Sequence, residues 1–256
     1  MQDYLISRIN NFSLDTKGLT PENLPLRSKK DFHHIDGSKT LVICLPGGGH
    51  PLWGWAFVKR YTVRRGASFL AYYFPREILS GNSKLTLDCF DVINKTVRED
   101  IENLRKEHNF DRCILVCLSL AGSFGSMIYK DNSMIDEVVC VSTGENLVKA
   151  MWHGCRSQYL RNAYEKQGVT EETLLSAWSD VSPDKNMPAR NTKISIHLGE
   201  GDRVAPYELS KTLVETMEKQ GFKPYFIKYP GLGHYLVSLK LLFFPQYFID
   251  LTPRAI

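Results

Sequence analysis

The chain lacks a dense basic stripe, a long unbroken apolar run and any paired Cys/His set. A formal charge of only +4 does not mark a nucleic-acid surface. The densest basic cluster, Lys59, Arg60, Arg64 and Arg65, reads as a solvated helix face, so no nucleic-acid partner is expected. Residues 113–129 are almost free of charge, but Ser119, Gly122, Ser123 and Gly125 suit a buried strand and helix better than a membrane span. The apolar run from Leu236 to Ile249 is broken by Lys240 and Pro245, so no span is expected there either. The start, Met1-Gln2-Asp3-Tyr4-Leu5-Ile6-Ser7-Arg8, lacks the basic-then-apolar order of a secretory leader, and a cytoplasmic location is expected.

The six cysteines form no disulfide framework. Cys44, Cys113, Cys117 and Cys140 fall in apolar runs, where a reduced thiol behaves as a small hydrophobe. Cys113-x-x-x-Cys117 has no second Cys or His pair to complete a zinc site. Neither Gly-x-x-x-x-Gly-Lys-Ser/Thr nor Gly-x-Gly-x-x-Gly occurs, which argues against a phosphate-binding loop. No metal or cofactor is expected.

What is present is a rhythm of short apolar runs and longer amphipathic segments. Candidate strands lie at 40–45, 68–73, 113–118, 137–142, 193–198 and 224–228. Their continuous apolar character fits strands covered on both faces, hence an α/β fold with a mostly parallel sheet and helices on both sides. Residues 84–107 place Phe90, Ile93, Val97, Ile101 and Leu104 at helical steps, with Asn109 as a left-handed stop. Residues 206–220 open on Pro206 at the first helical position and end before Gly221. With 256 residues, a single domain over 1–256 is expected. From 143 to 190 no strand-like run occurs, and scattered aromatic and aliphatic residues suggest two or three short helices. An insertion there would sit over the carboxyl ends of the strands, and it reads as a helical lid rather than an ordinary packed connection.

Four separated pieces point to nucleophilic acyl transfer. Ser119 ends the run Cys113–Leu118, with small residues Cys117 and Ala121 two positions either side and Gly122 next. A serine that projects from a sharp strand-to-helix turn needs such small neighbours; a helix-capping serine is the plainer alternative. The run Leu41–Leu45 leads into Pro46-Gly47-Gly48-Gly49-His50, more glycine than a tight turn requires. An oxyanion needs fixed N–H donors. Leu120 is one candidate; Gly48 is the other, with Gly49 as second choice. Asp202 follows the strand at 193–198, in position to orient an imidazole, with Glu200 as its local competitor. His234 follows the last strand and two glycines and is the candidate base. For substrate contacts the candidates are His50 and Trp53 beside the glycine loop, and Trp152, Tyr159 and Trp178 in the insertion.

On these residues the sequence resembles the α/β-hydrolase superfamily over roughly residues 38–250. The resemblance rests on the Pro46-Gly47-Gly48-Gly49 loop, the Cys117-Leu118-Ser119-Leu120-Ala121 turn and the order Ser119, Asp202, His234. Cysteine and alanine replace the superfamily's flanking glycines, and proline replaces the histidine before its oxyanion glycines. The resemblance implies a serine hydrolase that cleaves a carboxylic ester of a small acyl substrate through an acyl-enzyme. Thioesterase or acyltransferase chemistry would use the same triad, and a non-catalytic binding protein on the hydrolase scaffold is the alternative of a different class.

Overall fold

In the strand Thr40–Leu45, Leu41, Ile43 and Leu45 join one core cluster while Val42 and Cys44 join another. The strand Arg112–Leu118 divides the same way, with Cys113, Leu115 and Cys117 on one side and Ile114, Val116 and Leu118 on the other. Successive strand side chains point to opposite faces, so a continuous apolar run means two separate cores. The protein has them, one on each face of a central sheet.

The computed structural model describes residue 14, residues 16–48 and residues 52–252. Strands β1 (Lys29–His33), β2 (Thr40–Leu45), β3 (Ser68–Tyr73), β4 (Arg112–Leu118), β5 (Glu137–Val141), β6 (Lys193–Gly199) and β7 (Tyr225–Tyr229) form one seven-stranded sheet in the order β1-β3-β2-β4-β5-β6-β7. All neighbours are parallel except β1, which runs antiparallel to β3. The helices are α1 (Leu24–Arg27), α2 (Ala56–Arg64), α3 (Ser83–His108), α4 (Ala121–Tyr129), α5 (Leu147–His153), α6 (Gln158–Lys166), α7 (Glu171–Ala177), α8 (Tyr207–Lys219) and α9 (His234–Phe243). Residues of α3 to α8 pack on one face; α2, α9 and the 248–251 tail pack on the other. Among the described residues no helix is long and apolar enough to cross a membrane.

The six expected strands are present within a residue or two. Strand β1 was not expected, because Lys29-Lys30-Asp31-Phe32-His33 offers one aliphatic or aromatic carbon side chain other than histidine. An edge strand covered on one side needs little apolar content, and β1 is paired to β3 from Lys29↔Tyr73 to His33↔Phe69. Helix α3 buries Phe90, Ile93, Val97 and Ile101, is capped by the Asn82 side chain accepting from Leu85 N, and ends at Asn109 with φ 53°. Pro206 lies just before α8 rather than at its first turn, and Gly221 follows with φ +84°.

The segment 143–190 holds α5, α6, α7 and a short 3-10 turn at Ser179–Val181. Leu160, Tyr164, Leu174, Trp178 and Val181 are buried in the same cluster as Phe90 and Phe124.

Candidate active site

Strand β4 ends at Leu118, and the chain turns into α4 within two residues. Ser119 makes that turn with φ +55°, a region that costs a side-chain-bearing residue of order 1–3 kcal/mol. Two hydrogen bonds of its own backbone hold it there, and a third fixes the next residue. Ser119 N donates to Val141 O at 2.8 Å, Gly122 N donates to Ser119 O at 2.9 Å, and Ser123 N donates to Leu120 O at 3.1 Å. Glycines supply the room. A Cβ on Gly122 would overlap the Thr143 methyl, and one on Gly125 would lie 2.6 Å from Cys117 Sγ. Cysteine two residues before the turn is therefore accommodated by Gly125 of the following helix.

Asp202 sits in the loop after β6 and is 5% exposed. Its Oδ1 accepts from Val204 N and Ala205 N, both at 2.9 Å. The Oδ2 oxygen faces His234 Nδ1 at 2.8 Å. His234 is 2% exposed and opens α9 after Gly233. Its Nε2 lies 2.8 Å from Ser119 Oγ. The two loops are latched: Gly201 N donates to Leu232 O at 2.9 Å, and Gly199 has no Cβ to push the Leu232 carbonyl away. Glu200, the rival carboxylate, is bound at the surface by Lys228 Nζ at 3.0 Å. An unbroken line of hydrogen-bonding atoms thus runs Ser119 Oγ–His234–Asp202, with both outer partners fixed by backbone donors or strand ends.

The described part of the glycine loop, residues 46–48, reaches this point. Gly47 lies against Ser119, where an added Cβ would be 3.3 Å from the serine Cβ. Gly48 and Leu120 line the same cavity as Ser119 and His234. Neither the Gly48 nor the Leu120 N–H donates a backbone hydrogen bond to a described residue. Gly49 and His50 lie outside the described residues.

The cavity has about 580 Å³ of empty space counting its open mouth. Segment 143–190 contributes Leu147, Ala150 and Met151 from α5, then Arg156 and Ser157; Leu79 faces them. The aromatic residues expected at the wall are elsewhere. Trp178 is wholly buried in the core, packed edge-on to Tyr164 at 6.3 Å, and Trp53 is 80% exposed. Trp152 and Tyr159 are half-buried and not part of the lining. The aliphatic face of α5 and Arg156 line the cavity without having been expected there. Leu147, Ala150 and Met151 stand at helical steps in the sequence, which marks an apolar helix face but not that this face lines the cavity.

No protein-family model matches the chain, and no curated protein matches it in sequence. Solved structures do match. The butyrate-bound esterase Est2 of Thermogutta terrifontis superposes with a TM-score of 0.57 at 15% identity, covering 84% of this chain and 86% of that one. A Pyrococcus horikoshii acylaminoacyl peptidase gives 0.59 at 14% identity over 82% of this chain and 36% of its own. A Mycobacterium tuberculosis puromycin-hydrolyzing peptidase gives 0.58 at 16% identity, covering 86% and 35%. Likeness at these identities is a likeness of fold, and the chain has the α/β-hydrolase fold.

Proposed function

We propose that the protein is a serine hydrolase that cleaves a carboxylic ester through an acyl-enzyme intermediate. The observation that carries this reading is the pair of 2.8 Å contacts that joins Ser119 Oγ to His234 Nε2 and His234 Nδ1 to Asp202 Oδ2. A serine hydroxyl is a weak nucleophile until a base takes its proton. His234 Nε2 takes that proton as Ser119 Oγ attacks the ester carbonyl carbon. Asp202 holds Nδ1–H and stabilises the imidazolium that forms. The Gly48 and Leu120 N–H groups receive the oxyanion, because both line the cleft at Ser119 and have no other backbone acceptor among the described residues. His234 then returns the proton to the leaving alkoxide. Water repeats the cycle on the acyl-enzyme and releases the acid.

The segment 143–190 is read as a cap, since α5 and the loop after it form one wall of the cleft. A small-molecule acyl substrate suits a cavity of this size, and esterase and peptidase activities among the structural neighbours fit the same chemistry.

The test is a fluorophosphonate probe together with p-nitrophenyl butyrate. Wild type is expected to be labelled once and to hydrolyse the ester, and Ser119→Ala to do neither while remaining folded. Equal labelling of the variant, or an unlabelled wild type, overturns the assignment.

A further inference from the structure

Helices α2 and α9 present a face that neither the core nor the cleft at Ser119 uses. On α2, Phe57, Arg60, Tyr61 and Arg64 stand at helical steps of three and four, while Val58 and Thr62 are the buried residues. The helix packs against α9 and the short turn Pro245–Tyr247. Between them lies a cavity of about 860 Å³ counting its open mouth. Phe57, Arg60, Arg64 and Arg65 line it on one side, and Phe243 and Pro245 on the other.

This face carries charge of one sign. The sequence has no Asp or Glu between Asp36 and Glu77, nor between Glu218 and Asp250, and these two stretches supply α2, α9 and the turn. Lys59 on α2 is used in a pair with Asp31 at 2.9 Å. Among the described residues no carboxylate comes within ion-pair distance of Arg60, Arg64 or Arg65. Arg65 rests over the Tyr61 ring, 5.7 Å from its centre. Like charges four apart on a helix, as Arg60 and Arg64 are, destabilise it, and an anionic partner would relieve that repulsion.

The rim of the same cavity is apolar. Phe57, Leu239, Phe243, Phe244 and Tyr247 are each 42% exposed or more. The Phe57 and Phe243 rings lie 5.1 Å apart, so the exposed apolar side chains of the two helices adjoin. Leu239 is one turn before Phe243 on α9. Adjoining exposed apolar side chains mark an interaction surface. Arginines beside exposed phenylalanine and leucine suit a lipid headgroup layer, where phosphates meet the guanidinium groups and the rings reach the acyl boundary. A nucleic acid offers phosphates and flat bases but no hydrocarbon for Leu239 and the adjacent phenylalanines.

We propose that this face docks on the surface of a bilayer containing anionic phospholipids. Arg60, Arg64 and Arg65 lie against the lipid phosphates, and Phe243 and Phe244 enter the boundary between headgroups and acyl chains. Docking is peripheral and reversible and uses no spanning segment. It does not rest on the hydrolase reading, since none of these residues lines the cleft at Ser119.

Co-sedimentation of the full chain with phosphatidylcholine vesicles, with and without about 30% phosphatidylglycerol, tests the proposal. The wild type is expected to bind the anionic vesicles and to be released by high salt, which screens the attraction. Replacing Arg60, Arg64 and Arg65 together by glutamine should weaken binding by about 100-fold, at roughly fivefold for each charge. Phe243→Ser with Phe244→Ser should weaken it by about 10-fold or more through lost apolar burial. Near-ultraviolet circular dichroism checks folding; if the double variant unfolds, Phe244→Ser alone is read, with the same direction expected. Absence of binding to anionic vesicles, or binding unchanged in the arginine variant, overturns the proposal. Binding that ignores the phenylalanines does so as well, because it would leave only a soluble anion site. Duplex DNA is titrated in parallel, and arginine-dependent binding to DNA without binding to vesicles assigns the face to nucleic acid instead and overturns the lipid assignment.

Discussion

Thr143 occupies the space that any side chain on residue 122 would need. A Cβ on Gly122 would overlap Thr143 Cγ2 and lie 2.6 Å from its Oγ1. Thr143 follows Ser142, which itself has φ +52° and donates from its hydroxyl to the His234 carbonyl at 3.2 Å. The start of α4, the end of β5 and the start of α9 therefore meet at one packed junction directly behind Ser119. Gly122→Ala is expected to destabilise the protein by about 1–3 kcal/mol, the usual cost of overpacking, and to lower activity by displacing Ser119. Thr143→Gly in the same chain should recover much of the loss, since the Thr143 Cβ itself would lie 2.7 Å from the added carbon and neighbours sharing one space are not additive. Chemical denaturation of the four proteins of the cycle measures it; equal loss with and without Thr143 would show that the junction is not the cause.

Ser119, His234 and Asp202 are expected to fail as a unit. Ser119→Ala should lower kcat by about 10⁴-fold or more, and adding His234→Ala should cost little further. Independent, multiplying losses in single-turnover kinetics would argue that the hydrogen-bonded line is structural only.

The two acidic residues after β6 should separate cleanly. Asp202 contacts His234 at 2.8 Å, whereas Glu200 pairs with Lys228 at the surface. Glu200→Gln is expected to stay within about twofold of wild-type activity, because an exposed pair contributes little. Asp202→Asn should lose several orders of magnitude of kcat. Comparable losses in both variants would reopen the assignment.

Segment 143–190 should respond by position rather than by residue size. Met151 lines the cleft and Trp178 does not. Met151→Ala is expected to shift the preferred acyl length, since one methylene in an apolar pocket changes recognition by roughly 1–3 kcal/mol. Trp178→Ala should instead destabilise the fold by about 3–5 kcal/mol, as for a large buried aromatic. Profiles of kcat/KM from acetyl to decanoyl esters, with thermal melts, distinguish the two effects.

A buried histidine away from the site should set part of the acid sensitivity. His197 on β6 is 1% exposed, and its Nδ1 meets the Tyr229 hydroxyl at 3.0 Å. Burial, helped by the nearby charge of Lys240, pushes its imidazole down from 6.5 to about 4. The unfolded chain, titrating near 6.5, then binds more protons than the folded one between about pH 4 and 6.5. The stability this residue contributes is full above 6.5 and falls as pH drops through that window, by up to about 3 kcal/mol. His197→Gln should flatten the stability-versus-pH curve there in urea titrations. An unchanged slope would show that His197 is not the source.

The sequence by itself determined the sheet and the order of its chemistry. Runs such as Leu41–Leu45 and Cys113–Leu118 have strand length and no polar face, so they had to be covered on both sides. The small residues Cys117, Ala121 and Gly122 around Ser119 marked a tight turn, because such a turn brings these positions into close contact. These are local constraints, legible from neighbours in the chain. Strand β1 was not legible, since an edge strand is held by pairing to β3 more than by its own side chains. Tertiary structure alone decided what meets across long separations. It set Ser119 and His234, 115 residues apart, at 2.8 Å, and chose Asp202 over Glu200 by turning one carboxylate inward and the other to Lys228. It also sent Trp178 into the core while α5 and Arg156 formed the wall of the cleft. Helix periodicity shows that a residue has a buried face but not which surface covers it, and in segment 143–190 that covering surface is what separates a core residue from a residue of the cleft.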